Sequence, residues 1–514
     1  MENYLPVYEK VFYEKTEKSV MTEAVLPDYL PNVSRIVRVA VLPSAKISGI
    51  GSDSVNAEGR AVFSVVYASD FGDKLKCAVF PADFSHSFPV RSAQAELAED
   101  GYAECSALAS EEKGSVVSPR KLSLSCKVTL CAEGVAKKKN GIFDPEENES
   151  LKKRKGCVDT LEIAELPAVD VRIDEKITLD AGMPKIQEIV FADCTLSVGS
   201  AKLSGGECTF SGNAAFCCMY LSEENEDGQE YISLSKNIPF TASAALPYEA
   251  DGGYVLPKAV LSSLSADAVR DSYGESCIIA VTLNGSISSK LYHNLNASVC
   301  EDVFCIKYPC ECEVRELVYD SFTGGASEKV SVLESVHTNL GNMTEIVSQT
   351  SRVSVVSSEY TDRGLVMNLF ANVKLVGTNE LGGLESANAG FGFKVPFPQS
   401  FRDNYEKCRF DTFAEAENCR CTISNGEVKC ELDLVLHCAG LGRSKVRAVT
   451  AVEIDDMSEF SRDKSEYVIC YPESDDTVWS TAKKYRVSPA ELMAVNGLKN
   501  ENDIASAKIL VIPR

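Results

Sequence analysis

The chain has 514 residues, a net charge of −23 at pH 7 and a hydrophobic content of 45%. With about 150 residues in a typical domain, this composition indicates a folded, acidic chain of three or four domains. The excess of carboxylates argues against nucleic acid as a partner, because a protein that binds phosphates needs clustered lysine and arginine.

The N-terminal segment lacks the features of an export signal. Residues 1–20 mix acidic and basic side chains and contain no long apolar stretch, which excludes a secretory signal peptide within them. No apolar run in the chain approaches the roughly 18 residues that cross a bilayer. We therefore expect a cytoplasmic protein without a transmembrane segment, whose twenty cysteines remain reduced.

An internal repeat organises most of the sequence. The stretch Gly59 to Tyr67 returns as Gly212 to Tyr220, with Gly, Ala, Phe and Tyr at matching positions. An Ile-Val pair occurs three times, at Ile36-Val37, Ile189-Val190 and Ile346-Val347. These spacings predict three tandem copies of about 155 residues.

Each copy carries the pattern of β-strands. Apolar residues alternate with polar ones at Ala61, Phe63, Val65 and Tyr67, and in the third copy at Leu369, Ala371, Val373 and Leu375. A period of two is typical of half-buried strands, and a turn followed by a second strand predicts a hairpin. The predicted fold is therefore mainly β, with three sandwich-like repeats. Before residue 470 we predict little helix; Ser265 to Asp271 is one short candidate.

The repeats and a different C-terminal segment define the predicted domains. Their bounds are 1–140 for the first repeat, 141–156 for a charged linker, 157–312 for the second repeat, 313–460 for the third and 466–514 for the C-terminal module. The linker is rich in lysine, so it is either a solvated loop or a functional basic patch.

The C-terminal module follows a strand, helix, helix, strand order. After a strand at Tyr467 to Tyr471, Thr477 can cap a helix that continues to Tyr485. Ser488, followed by proline and then by Glu491, predicts a capping box for the second helix.

The second helix should bury Leu492 and Val495 and end at the left-handed stop Asn496-Gly497. Lys508 to Pro513 supplies the returning strand. The predicted module is thus a small βααβ unit.

Four segments of this module resemble the LysM domain, namely Asp476 to Ser480, Ala482 to Tyr485, Val495 to Leu498 and Leu510 to Pro513. The resemblance implies binding of N-acetylglucosamine polymers such as peptidoglycan, in a groove between the loops Pro472 to Thr477 and Lys499 to Ala507. Asp475 departs from the family pattern, which usually has glycine there.

The candidate binding residues that follow from this resemblance are Asp476, Thr477, Trp479, Lys484, Asn496, Asn500 and Ile504. Either a glycan or another protein could be the ligand of this surface. Trp479 has an alternative role, because a tryptophan here can simply cover the small core of the module.

The repeats resemble a domain of unknown function that occurs in tandem in clostridial and bacillar spore coat proteins. The resemblance depends on the Ile-Val pairs, the Gly-x-Ala-x-Phe strands and the passage from Glu301 to Phe304 with Tyr308-Pro309. Together with a C-terminal LysM, the arrangement is similar to clostridial spore coat morphogenetic proteins that bind the coat-anchoring ATPase.

That resemblance implies a non-catalytic scaffold for spore coat assembly, located in the mother-cell cytoplasm at the forespore surface. Its expected partners are the coat-anchoring ATPase or other coat proteins. The alternative is a peptidoglycan-binding protein in which the repeats act as a spacer.

No enzyme, cofactor or metal site is expected from the sequence. The chain contains no Gly-x-Ser-x-Gly, P-loop or His-Glu-x-x-His motif, and the neighbours His437 and Cys438 should point to opposite faces of a strand. Two cysteine groups could hold zinc or simply pack between strands, namely Cys300, Cys305, Cys310 and Cys312, and Cys419 with Cys421. Whether these thiols later cross-link stays open.

Overall fold

Strands dominate the computed structural model of the chain. It describes residues 4–70, 74–91, 97, 101–224, 228–246, 252–362, 364–380, 383–398, 408–424, 426–461, 467–473, 475–500, 503–504 and 507–513. Within these residues six three-stranded sheets precede a two-stranded sheet, and the two helices lie near the C-terminal end. The prediction of a mainly β chain with a small βααβ unit at its end is confirmed.

The first repeat consists of two antiparallel three-stranded sheets. Its strands are β1 (Tyr4–Val25), β2 (Val33–Ile50), β3 (Ser54–Ser69), β4 (Leu75–Pro89), β5 (Tyr102–Ser118) and β6 (Lys121–Gly141). One sheet has the order β2-β3-β4 and the other β1-β6-β5. The hairpin predicted after Gly59 to Tyr67 is β3 and β4.

The other two repeats copy this arrangement. The second contains β7 (Leu151–Thr178), β8 (Ile186–Ser204), β9 (Glu207–Ser222), β10 (Tyr231–Ala245), β11 (Tyr254–Arg270) and β12 (Ser276–Cys305). The third contains β13 (Cys310–Val336), β14 (Met343–Thr361), β15 (Gly364–Asn379), β16 (Leu384–Pro396), β17 (Arg409–Ser424) and β18 (Glu427–Ile454). The sheets are β8-β9-β10 with β7-β12-β11, and β14-β15-β16 with β13-β18-β17.

The predicted helix at Ser265 to Asp271 is wrong. Residues up to Arg270 continue β11, which pairs with β12 through this region. Leu264 and Ala266 pack against the core of the second repeat with a spacing of two. The ladder to β12 therefore decides the local conformation, as tertiary context often overrides a short helical pattern.

In each repeat, the sheet that carries the Ile-Val pair contributes its central strand, β3, β9 or β15, to the core between the two sheets. Ala61, Phe63, Val65 and Tyr67 of β3 are completely buried, and β15 buries Leu369, Ala371, Val373 and Leu375 almost as fully. The period-two prediction for these strands is confirmed. Each repeat thus has its own sandwich core.

The Ile-Val pairs mark a β-bulge in every repeat. In the first, Ile36 is paired with Tyr67 and Arg38 with Val66, so Val37 has no partner across the ladder. The registers around Val190 and Val347 skip one residue in the same way. A bulge lets neighbouring side chains face different surroundings, and the isoleucines pack in the sandwich cores while the valines face away from them.

The bulged valines meet in one apolar cluster shared by the three repeats, which we call the central cluster. It comprises Val37, Val66, Ala68 and Leu75 of the first repeat, Val190, Phe191, Met219 and Leu221 of the second, and Val376 and Leu384 of the third, with Cys77, Tyr231 and Val347 packed against them. The repeats therefore form a closed group of three around this cluster.

Polar contacts join each repeat to the next and close the group. Lys76 of the first repeat forms an ion pair with Glu188 of the second. Glu415 of the third accepts hydrogen bonds from two backbone N–H groups of the second. The ring closes where Arg35 Nη1 of the first repeat donates to the carbonyl of Leu384, at 3.2 Å.

A partly buried ionic triad crosses all three repeats beside the central cluster. Arg352 Nη2 of the third repeat donates to Asp193 Oδ1 of the second at 2.7 Å, and Arg38 Nη2 of the first lies 3.9 Å from Asp193 Oδ2. Burial alone would raise the pKa of Asp193, but the two guanidinium groups hold that pKa below its ordinary value. Arg38 is only 6% exposed and lies over the ring of Phe191.

The basic stretch between the first two repeats is paired within the chain. β7 begins at Leu151, inside the segment predicted as a linker, so residues 142–150 form the connection. Lys153 and Lys155 both contact Asp144, at 2.6 and 3.2 Å, and Arg154 contacts Glu301 at 3.0 Å. These pairs satisfy much of the positive charge locally.

Gly212 of β9 is a position where the fold demands glycine. A Cβ there would lie 2.2 Å from the carbonyl oxygen of Ser197 and 2.6 Å from Phe240 Cζ. We expect Gly212→Ala to destabilise the protein by about 2 kcal/mol, because neither a backbone oxygen nor a packed ring can yield cheaply. Urea denaturation measures this loss. Gly49→Ala is the control, since nothing lies within 4 Å of its Cβ, and equal midpoints for both variants would contradict the prediction.

Candidate functional site

The C-terminal module pairs two short strands below two helices. Its elements are β19 (Tyr467–Cys470), α1 (Val478–Tyr485), α2 (Pro489–Asn496) and β20 (Leu510–Pro513). The strands are antiparallel, with Ile469 opposite Val511. Among the described residues, no helix combines the length and apolar composition needed to cross a membrane.

The predicted N-cap of α1 is confirmed. Thr477 Oγ1 accepts a hydrogen bond from the N–H of Ser480 at 3.0 Å, and Ser480 Oγ accepts one from the N–H of Thr477 at 2.9 Å. This reciprocal pair is a capping box, with serine in place of the more usual Glu or Gln. Thr477 thus orders the end of the loop that precedes α1.

The second helix begins and ends with different signals from those predicted. Ser488 makes no side-chain cap hydrogen bond, so the predicted capping box with Glu491 is wrong, although proline does occupy the first turn. Gly497 adopts the left-handed conformation, with φ of 63°, as predicted. Leu492 is buried, but Val495 is exposed and its predicted inward orientation is wrong.

Several of the predicted binding residues build the module itself. Ile504 is completely buried in its core with Val478, Leu492 and Leu510. The side chain of Asn496 donates to the carbonyl of Val511 and accepts from the N–H of the same residue, both at 2.7 Å. Asn496 therefore fastens α2 to β20.

In each loop that flanks the predicted groove, a carboxylate accepts hydrogen bonds from nearby backbone N–H groups. Asp476 Oδ2 accepts from the N–H of Glu473 at 2.8 Å. Asp503 Oδ2 accepts from the N–H groups of Lys499 and Asn500, both at 2.9 Å, and these hydrogen bonds lower the pKa of Asp503. Residues 474, 501, 502, 505 and 506 of these loops lie outside the described residues.

The outer residues of both loops are open to solvent. Glu473 and Asp475 are exposed on the first loop, and Lys499 and Asn500 on the second. Lys484 of α1 is also exposed, and its ammonium lies 5.7 Å from the ring centre of Tyr485. The described loop residues thus offer charged and amide groups, and the end of α1 offers a charged group beside aromatic carbon.

Trp479 does not face solvent but docks the module onto the second repeat. Its Nε1 donates to Asp302 Oδ2 at 2.8 Å, and its ring meets Phe304 edge to face with centres 5.0 Å apart. Lys483 Nζ contacts both oxygens of Asp302, at 2.7 and 2.8 Å. Burial alone would raise the pKa of Asp302, yet the hydrogen bonds from Lys483 and Trp479 keep that pKa below its ordinary value.

The sequence contains a signal for this docking site near the end of β12. Asp302 and Phe304 belong to the passage from Glu301 to Phe304 on which the resemblance of the repeats depends, and the same residues hold the LysM domain. Phe304 is buried within the module's own core cluster. The segment after β18 adds to the junction, because Arg486 stacks on the ring of Phe460, 3.1 Å from its centre.

His437 and Cys438, which are neighbours in sequence, both lie in the packed interior of the third repeat. His437 is completely buried, and its Nδ1 lies 2.9 Å from Ser327 Oγ and 3.1 Å from the hydroxyl of Tyr254. Burial lowers its pKa to about 4. Cys438 faces the core of the third repeat. Within the described part of the chain, no group of three or more His, Cys, Asp and Glu side chains is arranged to hold a metal ion.

Comparison with known families identifies the C-terminal module. The LysM domain model matches residues 473–513, which include α1, α2, β20 and, apart from Pro472, both loops of the predicted groove. The module is therefore a LysM domain, attached to three β-sandwich repeats. The match does not extend to the repeats, so their resemblance to the spore coat domain stays a hypothesis. No curated protein and no solved structure matches the chain.

Proposed function

We propose that the chain is a non-catalytic binding protein whose LysM domain holds N-acetylglucosamine polymers such as peptidoglycan. The observation that carries this proposal is that the described outer residues of both loops, Glu473, Asp475, Lys499 and Asn500, are exposed, while Trp479 of α1 is used for docking. These loop residues are therefore available to a ligand when the LysM domain is docked on the second repeat.

The hydrogen bonds of two carboxylates support the proposal energetically. Asp476 accepts from the N–H of Glu473, and Asp503 accepts from those of Lys499 and Asn500, at 2.8 to 2.9 Å. A ligand that contacts these bonded backbone groups does not have to supply the conformational entropy of ordering them. Within this proposal Thr477, Asn496 and Ile504 shape the groove from behind, while Asn500 and Lys484 are the candidates for direct contact.

Docking gives the LysM domain a defined direction. Because Asp302 binds both Trp479 and Lys483, the domain cannot turn freely about the segment that follows β18. In this proposal the three repeats act as a rigid body that presents one glycan-binding groove at a fixed orientation.

We expect Asp503→Ala to reduce the affinity for glycan at least about tenfold, because the variant loses a charged acceptor for two backbone N–H groups of the loop, and one such hydrogen bond is worth about that factor. Binding of the full chain to chito-oligosaccharides, measured by calorimetry, and its retention on insoluble peptidoglycan test this. Asp271→Ala is the matched control, since Asp271 also accepts two backbone N–H bonds at 2.8 Å but lies in the second repeat.

The two variants together distinguish an effect on the groove loop from a general loss of stability. Loss of binding in Asp503→Ala with normal binding in Asp271→Ala supports the proposed groove. Equal affinity in both variants, or no affinity of the unaltered chain for either glycan, would overturn it.

We propose as a second candidate a scaffold for spore coat assembly in the mother-cell cytoplasm, at the forespore surface. The observation that favours a protein partner is a set of exposed apolar side chains at the LysM strands, where Ile469 of β19 and the residues next to the strands, Tyr471 and Ile509, are more than half exposed. Groups of exposed apolar side chains are typical of protein interfaces. The coat-anchoring ATPase or another coat protein would be the ligand.

One paired measurement separates the two candidates. The full chain is tested for retention on peptidoglycan and for binding to the coat-anchoring ATPase, with Tyr471→Ser and Asp503→Ala as variants. The glycan proposal expects only Asp503→Ala to lose its ligand. The scaffold proposal expects ATPase binding that is lost in Tyr471→Ser, together with synthesis confined to sporulating mother cells.

A further inference from the structure

Three cysteines of the third repeat lie with their sulfur atoms in contact. Cys419 and Cys421 lie on β17 and Cys430 lies on β18. The Sγ atoms of Cys421 and Cys430 are 3.5 Å apart, and those of Cys419 and Cys421 are 3.7 Å apart. Cys430 is completely buried and Cys419 is partly exposed. The three thiols therefore form a path from the surface to the core of the sandwich.

The geometry of the strands selects one pair among the three. Cys421 and Cys430 are directly opposite each other in the antiparallel register, where Cβ atoms are about 4.5 to 5.5 Å apart. A disulfide needs about 3.8 Å, so a small approach of the strands suffices. Cys419 and Cys421 are two residues apart on one strand, which separates their Cβ atoms by about 6.6 Å and prevents a direct bond.

We propose that Cys421 and Cys430 are a redox modification site, which a low-molecular-weight disulfide converts into an intrachain disulfide after entry at Cys419. The Cys419 thiolate attacks the reagent, takes one half of it as a mixed disulfide and releases the other half as a thiol. The Cys421 thiolate then attacks the reagent sulfur of this mixed disulfide. The reagent half is thereby transferred to Cys421, and Cys419 leaves as a thiol. Cys430 attacks the Cys421 sulfur and expels the second reagent thiol.

The overall reaction is balanced without a further reactant. Two protein thiols lose two protons and two electrons, and one reagent disulfide becomes two thiols. The reagent meets Cys419 first, because Cys419 is partly exposed while Cys421 is 8% exposed and Cys430 is completely buried.

The disulfide would act on the contact between the second and third repeats. β17 carries Glu415, which binds the backbone N–H groups of Val198 and Ala259, and Asp411, which accepts a hydrogen bond from the hydroxyl of Tyr292 at 2.9 Å. A covalent link from β17 to β18 fixes the strand from which these contacts project. Oxidation would therefore strengthen an interface inside the protein without changing its surface.

Tryptic peptides can report this link directly. Cleavage after Arg420 and Lys429 separates the three cysteines into peptides 410–420, 421–429 and 430–443. Reduced full-length protein is freed of reductant, incubated with oxidised glutathione, alkylated and digested. We expect peptide 421–429 joined to peptide 430–443, with neither Cys421 nor Cys430 alkylated.

Three variants test the assignment. Cys438 shares a peptide with Cys430, so Cys438→Ala is the control and should still form the link. Cys430→Ala should abolish it, and Cys419→Ala should slow its formation at least about tenfold, because the accessible thiol is gone. Lasting glutathione adducts without the link, a link to Cys438 instead, or an unchanged rate in Cys419→Ala would each overturn the proposal.

Discussion

Replacing Asp193 by alanine should destabilise the three-repeat body by about 2 kcal/mol, because it leaves the buried guanidinium of Arg38 without its carboxylate while water partly screens Arg352. Arg38, which is 6% exposed, and Arg352 would then face each other without their shared carboxylate. Since these residues come from the three repeats, the loss should affect the cooperative unfolding of all of them. Urea denaturation followed by circular dichroism measures it.

The control for this experiment is an ion pair of similar geometry at the surface. Arg60 Nε and Asp83 Oδ1 are 2.6 Å apart, yet more than half of each side chain is exposed. Asp83→Ala should leave the urea midpoint unchanged, because water screens such a pair and replaces it easily. If the two variants unfold at the same urea concentration, the triad does not hold the repeats together.

Replacing Asp302 by alanine should release the LysM domain from the second repeat while both parts stay folded. The variant loses the hydrogen bond from Trp479 and both contacts from Lys483, which we expect to weaken docking by about 2 kcal/mol. Trp479 is the single tryptophan of the chain. Its fluorescence should therefore shift to longer wavelength and become more accessible to acrylamide.

The neighbouring residue provides a matched control. Glu301 precedes Asp302 on β12 but forms its ion pair with Arg154 of β7, away from the LysM domain. Glu301→Ala should leave the tryptophan emission unchanged. Phe304→Ala removes the ring that meets Trp479 and should act like Asp302→Ala. An unaltered emission spectrum in Asp302→Ala would show that the contact does not position the domain.

Local patterns predicted the repeats and most of their strands. The alternation from Ala61 to Tyr67 and from Leu369 to Leu375 corresponds to buried faces of β3 and β15, because side chains of a strand point alternately to its two sides. The helix predicted at Ser265 to Asp271 was wrong because so short a segment carries too little periodic pattern to determine its own conformation. Its pairing with β12 made it part of a strand.

The LysM domain shows the same division. Its fold follows from short-range signals such as the Thr477 cap and the left-handed Gly497, which act within one or two turns of the chain. The residues predicted to bind from the resemblance were then divided by the structure. Ile504 and Asn496 serve the core and its connections, Trp479 serves docking, and Asn500 and Lys484 remain at the surface.

The sequence alone determined that the chain contains three related β bodies and a small helical module, because strand period, turn and cap are properties of neighbouring residues. The tertiary structure decided how these parts associate. Spacing located the three bulged valines, but it does not show that they meet in the central cluster, nor that Arg38, Asp193 and Arg352 form a triad, since these partners are more than a hundred residues apart. The docking of Trp479 on Asp302 was decided in the same way, because only the folded chain brings the end of β12 against α1.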